Sequence, residues 1–170
     1  MSITIRQAGP DDAAAISAVQ TSARQQAYAG IVSPQALRAM AKGVTPQLWA
    51  ARLREPIGWG LVAVEDGTVI GFVYVAPSGE GLHSVGDLIA LHVDPAHQGS
   101  GVGGRLLEAG LEVLAGHGFS TYALWVLEGN ERAIRFYRKR GWSPDGHRFR
   151  DVSGVFLRFV LDPGGPTPHG

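Results

Sequence analysis

The stretch from His92 to Gly118, HVDPAHQGSGVGGRLLEAGLEVLAGHG, decides how the rest of the chain is read. Four glycines, Gly99, Gly101, Gly103 and Gly104, fall within six residues, and an apolar run with helical spacing follows at once. Glycine loses more conformational freedom on folding than any other residue, so such a cluster marks a place where the backbone itself approaches something closely. A loop entering a helix also presents unpaired amide N–H groups at the positive end of the helix dipole, and both suit a phosphate. The helix that follows is a packing element: Leu106, Leu107, Leu111 and Leu114 form a core stripe.

Three kinds of phosphate loop compete for this stretch, besides an ordinary helix-start turn. A P-loop ends in Gly-Lys followed by Ser or Thr, and Gly103-Gly104-Arg105 does not. The run Gly99, Gly101, Gly104 spells the dinucleotide fingerprint G-x-G-x-x-G. In that fold, however, the glycines follow the strand directly and the unit opens the domain. Here Asp94 to Gln98 intervene after Val93, and about half of the chain precedes the loop. The third reading takes Gln98 through Gly103 as Gln/Arg-x-x-Gly-x-Gly/Ala.

Outward from the loop, the chain alternates strand and helix signals. Ile3 and Ile5 alternate with polar residues as a short edge strand does, and Gly9-Pro10-Asp11-Asp12 opens a helix that runs to about Tyr28. Ser33-Pro34 and Thr45-Pro46 are two further helix starts, with an irregular segment expected between them. Residues 60–76 form a hairpin about Glu65-Asp66-Gly67-Thr68. A strand over Asp87–Val93, the loop and its helix, a strand over Thr121–Leu127 and a helix over Asn130–Arg140 follow. Two short strands within 147–161 close a single domain, 1–161, and the tail 162–170 is expected to be flexible.

Composition bounds the function. Equal numbers of basic and acidic residues, 15 of each, give no footprint for nucleic acid or a membrane surface. Absence of cysteine removes any thiol nucleophile or disulfide and fits a cytoplasmic protein. No stretch has the length and apolarity of a membrane span, and the N-terminus lacks the features of a secretory signal. No His or carboxylate cluster has metal-ligand spacing, so no metal is expected.

The third reading of the loop has support downstream. The strand LIALHV, the Asp94-Pro95 turn, the loop Gln98–Gly104 and its helix resemble the central cofactor-binding motif of the GNAT acetyltransferase superfamily. NERAIRFYRKRGW, Asn130 to Trp142, resembles that family's second motif, an asparagine followed by a tyrosine-bearing helix that ends in glycine-aromatic. The resemblance implies an α/β fold: a splayed, mostly antiparallel sheet of six or seven strands flanked by about four helices. It implies transfer of the acetyl group of acetyl-CoA directly to a primary amine, a small molecule or a peptide N-terminus or lysine. A non-catalytic acyl-CoA-binding or sensing module is the alternative, and homodimerisation is left open.

Site residues follow from the same resemblance. The main chain of Leu91, His92 and Val93 pairs with pantetheine, and Gln98, Gly99, Ser100, Gly101, Val102, Gly103 and Gly104 hold the pyrophosphate. Asn130 and Tyr137 lie seven residues apart, on one helical face, so that Asn130 touches the cofactor arm while Tyr137 reaches the sulfur as general acid. The base is open. One position used in the family is Trp125 here, which closes that route; another is Asp87, acting through water, with His83 and His92 as rivals. His92 alternates with Leu91 and Val93, so it is expected to face the helix side as a satisfied core histidine rather than act as the base. Tyr28, Trp49 and Trp125 are candidates for the acceptor wall, although helix packing explains the tryptophans as well.

Overall fold

The computed structural model describes residues 2–55, 57–79, 81 and 83–164. A seven-stranded sheet runs in the order β1-β2-β3-β4-β5-β7-β6. Its strands are β1 (Ile3–Gln7), β2 (Trp59–Glu65), β3 (Thr68–Pro77), β4 (Val85–Val93), β5 (Thr121–Leu127), β6 (Ser143–Asp151) and β7 (Gly154–Leu161). Among the described residues, five α-helices flank it: α1 (Ala13–Tyr28), α2 (Pro34–Ala41), α3 (Pro46–Arg54), α4 (Val102–Gly116) and α5 (Glu131–Arg138). Two details differ from the sequence expectation. The segment after Ser33-Pro34 is helical, because the Ser33 side chain accepts from the Ala36 amide at 3.1 Å and starts α2. The first closing strand begins at Ser143 rather than near 147, the added residues lying on the exposed outer edge. Residues 165–170 of the expected flexible tail lie outside the described residues.

Local chemistry sets the hairpin. Asp66 and Gly67 both have positive φ, 49° and 78°, the conformation a two-residue turn needs to match the twist of β2 and β3. Apolar residues on the α4 face of the sheet, among them Val73, Val75, Leu88 and Leu124, pack against Leu106, Leu107 and Leu114. A second cluster on the opposite face joins Phe72, Tyr74, Ala76 and Ala90 to Ile16, Val19 and Trp49. Two buried layers over one sheet supply the apolar area that holds a chain of this size together.

Two irregularities then shape a site. A bulge between β3 and β4 leaves Ile89 without a partner, since Tyr74 pairs with Ala90 and Val75 with Leu88. Two residues apart in a regular strand share a face, yet Leu88 packs on the α4 side and Ala90 on the α1 side, so the bulge reverses the alternation. The second irregularity is that β4 and β5, which run parallel, pair only at Val85↔Thr121, Gly86↔Tyr122 and Asp87↔Ala123. Beyond Asp87 and Ala123 the strands diverge.

Candidate active site

The divergence of β4 and β5 opens a cleft of about 550 Å³. Its walls are Leu88–Val93 of β4 and Leu124–Leu127 of β5, its floor at one end the loop before α4, and its sides α1 and α5. With β5 drawn away, the β4 backbone past Asp87 lacks a strand on that side, which leaves its amides and carbonyls to pair with an extended guest.

The loop presents free backbone amides to the cleft. Gly99 and Gly101 have φ of +81° and +86°, so two left-handed residues carry the chain into α4. The first-turn amides of Val102, Gly103 and Gly104 have no partner within the helix, as at any helix start. The loop's other side chains brace it. Gln98 donates to the Val93 carbonyl at 3.4 Å and accepts from Arg132 of α5 at 2.6 Å, tying the two sides of the cleft together. The Ser100 hydroxyl donates to the His97 carbonyl. Val102 is fully buried in the α4 core cluster, so only its amide is available to a ligand. Gln98 and Ser100 thus shape the loop with their side chains, while its backbone amides supply the donors.

Helix α5 supplies the other side. Asn130 caps it, accepting from the Ala133 amide at 3.4 Å, and still lines the cleft. One face on, Tyr137 is buried between Phe136 and Trp142, with ring centroids 5.2 Å and 5.8 Å away. Its ring lines the cleft and its hydroxyl makes no hydrogen bond among the described residues. Burial, and after it the neighbouring Tyr28 phenol, hold the Tyr137 hydroxyl protonated well above the ordinary tyrosine range, while the Arg140 guanidinium pulls weakly the other way. Phe136 is half-buried and lines the cleft, with the Arg140 guanidinium 3.7 Å over its ring.

The α1 side of the cleft is aromatic and basic. Trp125, 39% exposed, meets Phe149 edge-on at 4.8 Å, and Phe149 stacks on Phe156 at 4.9 Å, giving an aromatic wall. Opposite stand Arg24 and Tyr28, one turn apart on α1, and His92 of β4. Burial, with the Arg24 charge second, pushes the His92 imidazole down to about 3, so the ring is neutral at physiological pH. Burial also raises the Tyr28 phenol, against the opposing pull of Arg24.

The Acetyltransferase (GNAT) family model matches residues 24–142, which include both sides of the cleft and the loop. The chain belongs to the GNAT acetyltransferase family. A mycothiol acetyltransferase of Stackebrandtia nassauensis is 37% identical over 110 residues, which are 57% of this chain and 36% of that one. The chain therefore spans about a third of the length of that relative. A protein named a probable N-acetyltransferase in Mycobacterium tuberculosis is 30% identical over 165 residues, 93% of this chain and 91% of its own. Among solved structures, the PaiA N-acetyltransferase of Thermoplasma acidophilum in complex with coenzyme A has the same fold, with a TM-score of 0.81 at 21% identity over 93% of this chain and 98% of that one.

The structure brings together in this cleft most of the residues expected from sequence and leaves some out. Leu91, His92, Val93, Gln98, Gly99, Gly101, Gly103, Gly104, Asn130, Tyr137, Tyr28 and Trp125 all line one cleft. Trp49 does not. It is 4% exposed, its indole N–H donates to Gln20 Oε1 at 2.8 Å, and it packs edge-on to Phe72 and Tyr74 in the α1–α3 core. Asp87 lies where β4 and β5 still pair, before the cleft opens, and its carboxylate accepts from the Gly79 amide at 3.3 Å. It is not among the residues lining the cleft. His92 does alternate with Leu91 and Val93, but it is half-buried at the cleft and makes no hydrogen bond among the described residues, so it is not a satisfied core histidine. Sequence reasoning missed Arg24, Ile89, Phe149 and Phe156. An arginine on an amphipathic helix reads as a solvated face, and neither a bulge nor the pairing of β6 with β7 leaves a local signature. Among the described residues, no helix is long and apolar enough to cross a membrane, and no group of three His, Cys, Asp or Glu is placed to hold a metal ion.

Proposed function

We propose that this chain, as one domain over 1–161, transfers the acetyl group of acetyl-CoA directly to a primary amine, with Tyr137 as the general acid. The observation that carries the reading is the meeting of two features in one cleft: a glycine loop with free first-turn amides and a buried tyrosine whose hydroxyl has no partner among the described residues. The loop amides and Arg132 and Arg140 suit the pyrophosphate, and the unpaired edge of β4 around Leu91–Val93 suits an extended pantetheine arm. An amide of that edge, aimed at the thioester oxygen, would stabilise the charge that develops there.

Transfer requires attack of a neutral amine nitrogen on the thioester carbon, followed by loss of the thiolate. Tyr137 holds its proton at neutral pH and delivers it to the departing sulfur, so the phenol begins in the state the step needs. The amine proton leaves to water. No carboxylate is found among the described residues lining the cleft, and an imidazole at about 3 is too weak to take a proton from an ammonium. The Arg24 charge instead lowers the pKa of an ammonium that enters, so the neutral amine is the favoured occupant. The lack of cysteine suits a reducing compartment, and we place the protein in the cytoplasm.

Thiol release from acetyl-CoA against a panel of amines tests the reading. Tyr137→Phe should lower kcat by roughly a hundredfold, as for loss of a general acid, with the dissociation constant of coenzyme A nearly unchanged. Unchanged turnover in the variant would remove Tyr137 from the chemistry. Coenzyme A binding with no turnover on any amine would favour a sensing module instead.

A further inference from the structure

A guanidinium is expensive to take out of water without an anion beside it. Arg24 is such a group. Its side chain is largely buried in the α1 wall of the cleft, its Nε has neither solvent nor a hydrogen-bond partner, and no ion pair to it is found among the described residues. Its charged and titratable neighbours are the Tyr28 phenol, one turn along α1, and the His92 imidazole of β4. Neither is an anion at neutral pH. Asp151 acts on Tyr28, and its Oδ1 is engaged by the Ser153 amide at 2.7 Å.

The rest of the lining sharpens the point. Three arginines, Arg24, Arg132 and Arg140, line the cleft, and no Asp or Glu does among the described residues. Arg132 and Arg140 belong to the cofactor end: Arg132 bonds Gln98 of the loop, and Arg140 bonds the Phe136 carbonyl at 3.0 Å and covers its ring. Arg24 is on α1, facing the aromatic wall of Trp125, Phe149 and Phe156, where the acceptor must approach.

We propose that Arg24 is an acceptor-recognition residue, and that the acceptor is an amine carrying a carboxylate and an apolar body, an amino acid or a molecule like one. The planar fork of a guanidinium matches a carboxylate in two parallel hydrogen bonds, and Tyr28 stands one turn away to donate a further one. The aromatic wall takes the apolar body. A polyamine or a lysine-rich peptide, by contrast, would bring positive charge against an unpaired buried cation, which this wall disfavours. The proposal rests on the acetyl-transfer reading above but makes a separate demand on the acceptor.

Three amines with one body separate the demands: phenylalanine, phenylalaninamide and phenethylamine, each assayed by thiol release with acetyl-CoA, with binding to the coenzyme A-loaded protein measured by calorimetry. The amide's amine is the less basic, so nucleophile availability alone would favour it over the acid. Wild type should prefer the acid over both analogues by roughly tenfold or more, the scale of a charge-assisted hydrogen-bond pair. Arg24→Gln should erase that preference by raising the acid's KM, with the KM for acetyl-CoA unmoved, and Arg24→Lys should restore part of it. Equal use or equal binding of acid and amide by wild type overturns the proposal while acetyl transfer stands. A rise in the acetyl-CoA KM in Arg24→Gln, with acceptor preference intact, also overturns it and assigns Arg24 to a cofactor phosphate. If acetyl-CoA neither binds nor is consumed, the acetyl-transfer reading fails and this one fails with it.

Discussion

His92 shows how much a single backbone irregularity can do to a side chain. The unpaired Ile89 shifts the phase of β4, so Ala90 and His92 turn to the α1 face while Leu91 and Val93 keep the α4 face. There the imidazole lies 5.6 Å from the Phe72 ring and within the field of Arg24. Its pKa falls from 6.5 to about 3, burial being the larger cause. The unfolded chain thus binds a proton that the folded chain refuses, and stability rises with pH wherever that holds. The contribution is complete above about 6.5 and is lost as pH falls from there toward about 3. Melting temperatures compared between pH 6.5 and roughly 5.5, about one unit above the ordinary glutamate pKa, read this group with little contribution from carboxylates. His92→Asn should flatten the decline in that window, and parallel curves for wild type and variant would show that the imidazole titrates normally.

At the scale of elements, the loop and α4 were readable in the sequence because their physics is local. Glycines at fixed offsets, a helix start and a leucine stripe need no knowledge of the rest of the chain, and the Asn130 cap and Tyr137 share one helix in the same way. The splay was legible only through the family resemblance, and the bulge and the pairing of Trp125 with Phe149 and Phe156 were not readable at all, since each depends on which strand lies beside which. Trp49 is the instructive failure: its hydropathy suits a pocket wall and a core equally, and only the Gln20 partner on α1 decides for the core. Gly101 carries the element's prediction. At φ +86° a β-branched residue is strained, although a Cβ there would meet no atom within 4 Å. Gly101→Val therefore acts through backbone conformation and should displace the first-turn amides, raising the dissociation constant of coenzyme A by roughly tenfold or more for the loss of even one such donor. Calorimetric titration with coenzyme A reads this directly, and wild-type affinity in the variant would mean the amides of this turn do not hold the cofactor.

Across the whole molecule, charge is separated more than its total suggests. The chain carries 15 basic and 15 acidic residues, which cancel, so the sequence alone offers no electrostatic steer. Folding changes that. Arginines 24, 132 and 140 reach the cleft, and the described lining contains no Asp or Glu, so a neutral protein presents a positive interior face. A concave, poorly solvated wall of one sign focuses its field and draws in ligands of the other sign. Coenzyme A, whose phosphates are anionic, should therefore bind more weakly as salt rises, even though the protein as a whole is neutral. The Debye length falls from about 30 Å at 0.01 M to about 3 Å at 1 M, so salt in this range screens the arginines from an approaching ligand. The KM for acetyl-CoA should rise several-fold between low and high salt while kcat stays level, because Tyr137 and the thioester react inside the screened distance. The acceptor offers a second salt test: a carboxylate-bearing amine should lose affinity with salt, whereas its neutral-bodied analogue, phenethylamine, should hold or gain. A flat curve for acetyl-CoA would mean that Arg132 and Arg140 do not govern its entry, and flat curves for both amines would mean the same of Arg24 and the acceptor.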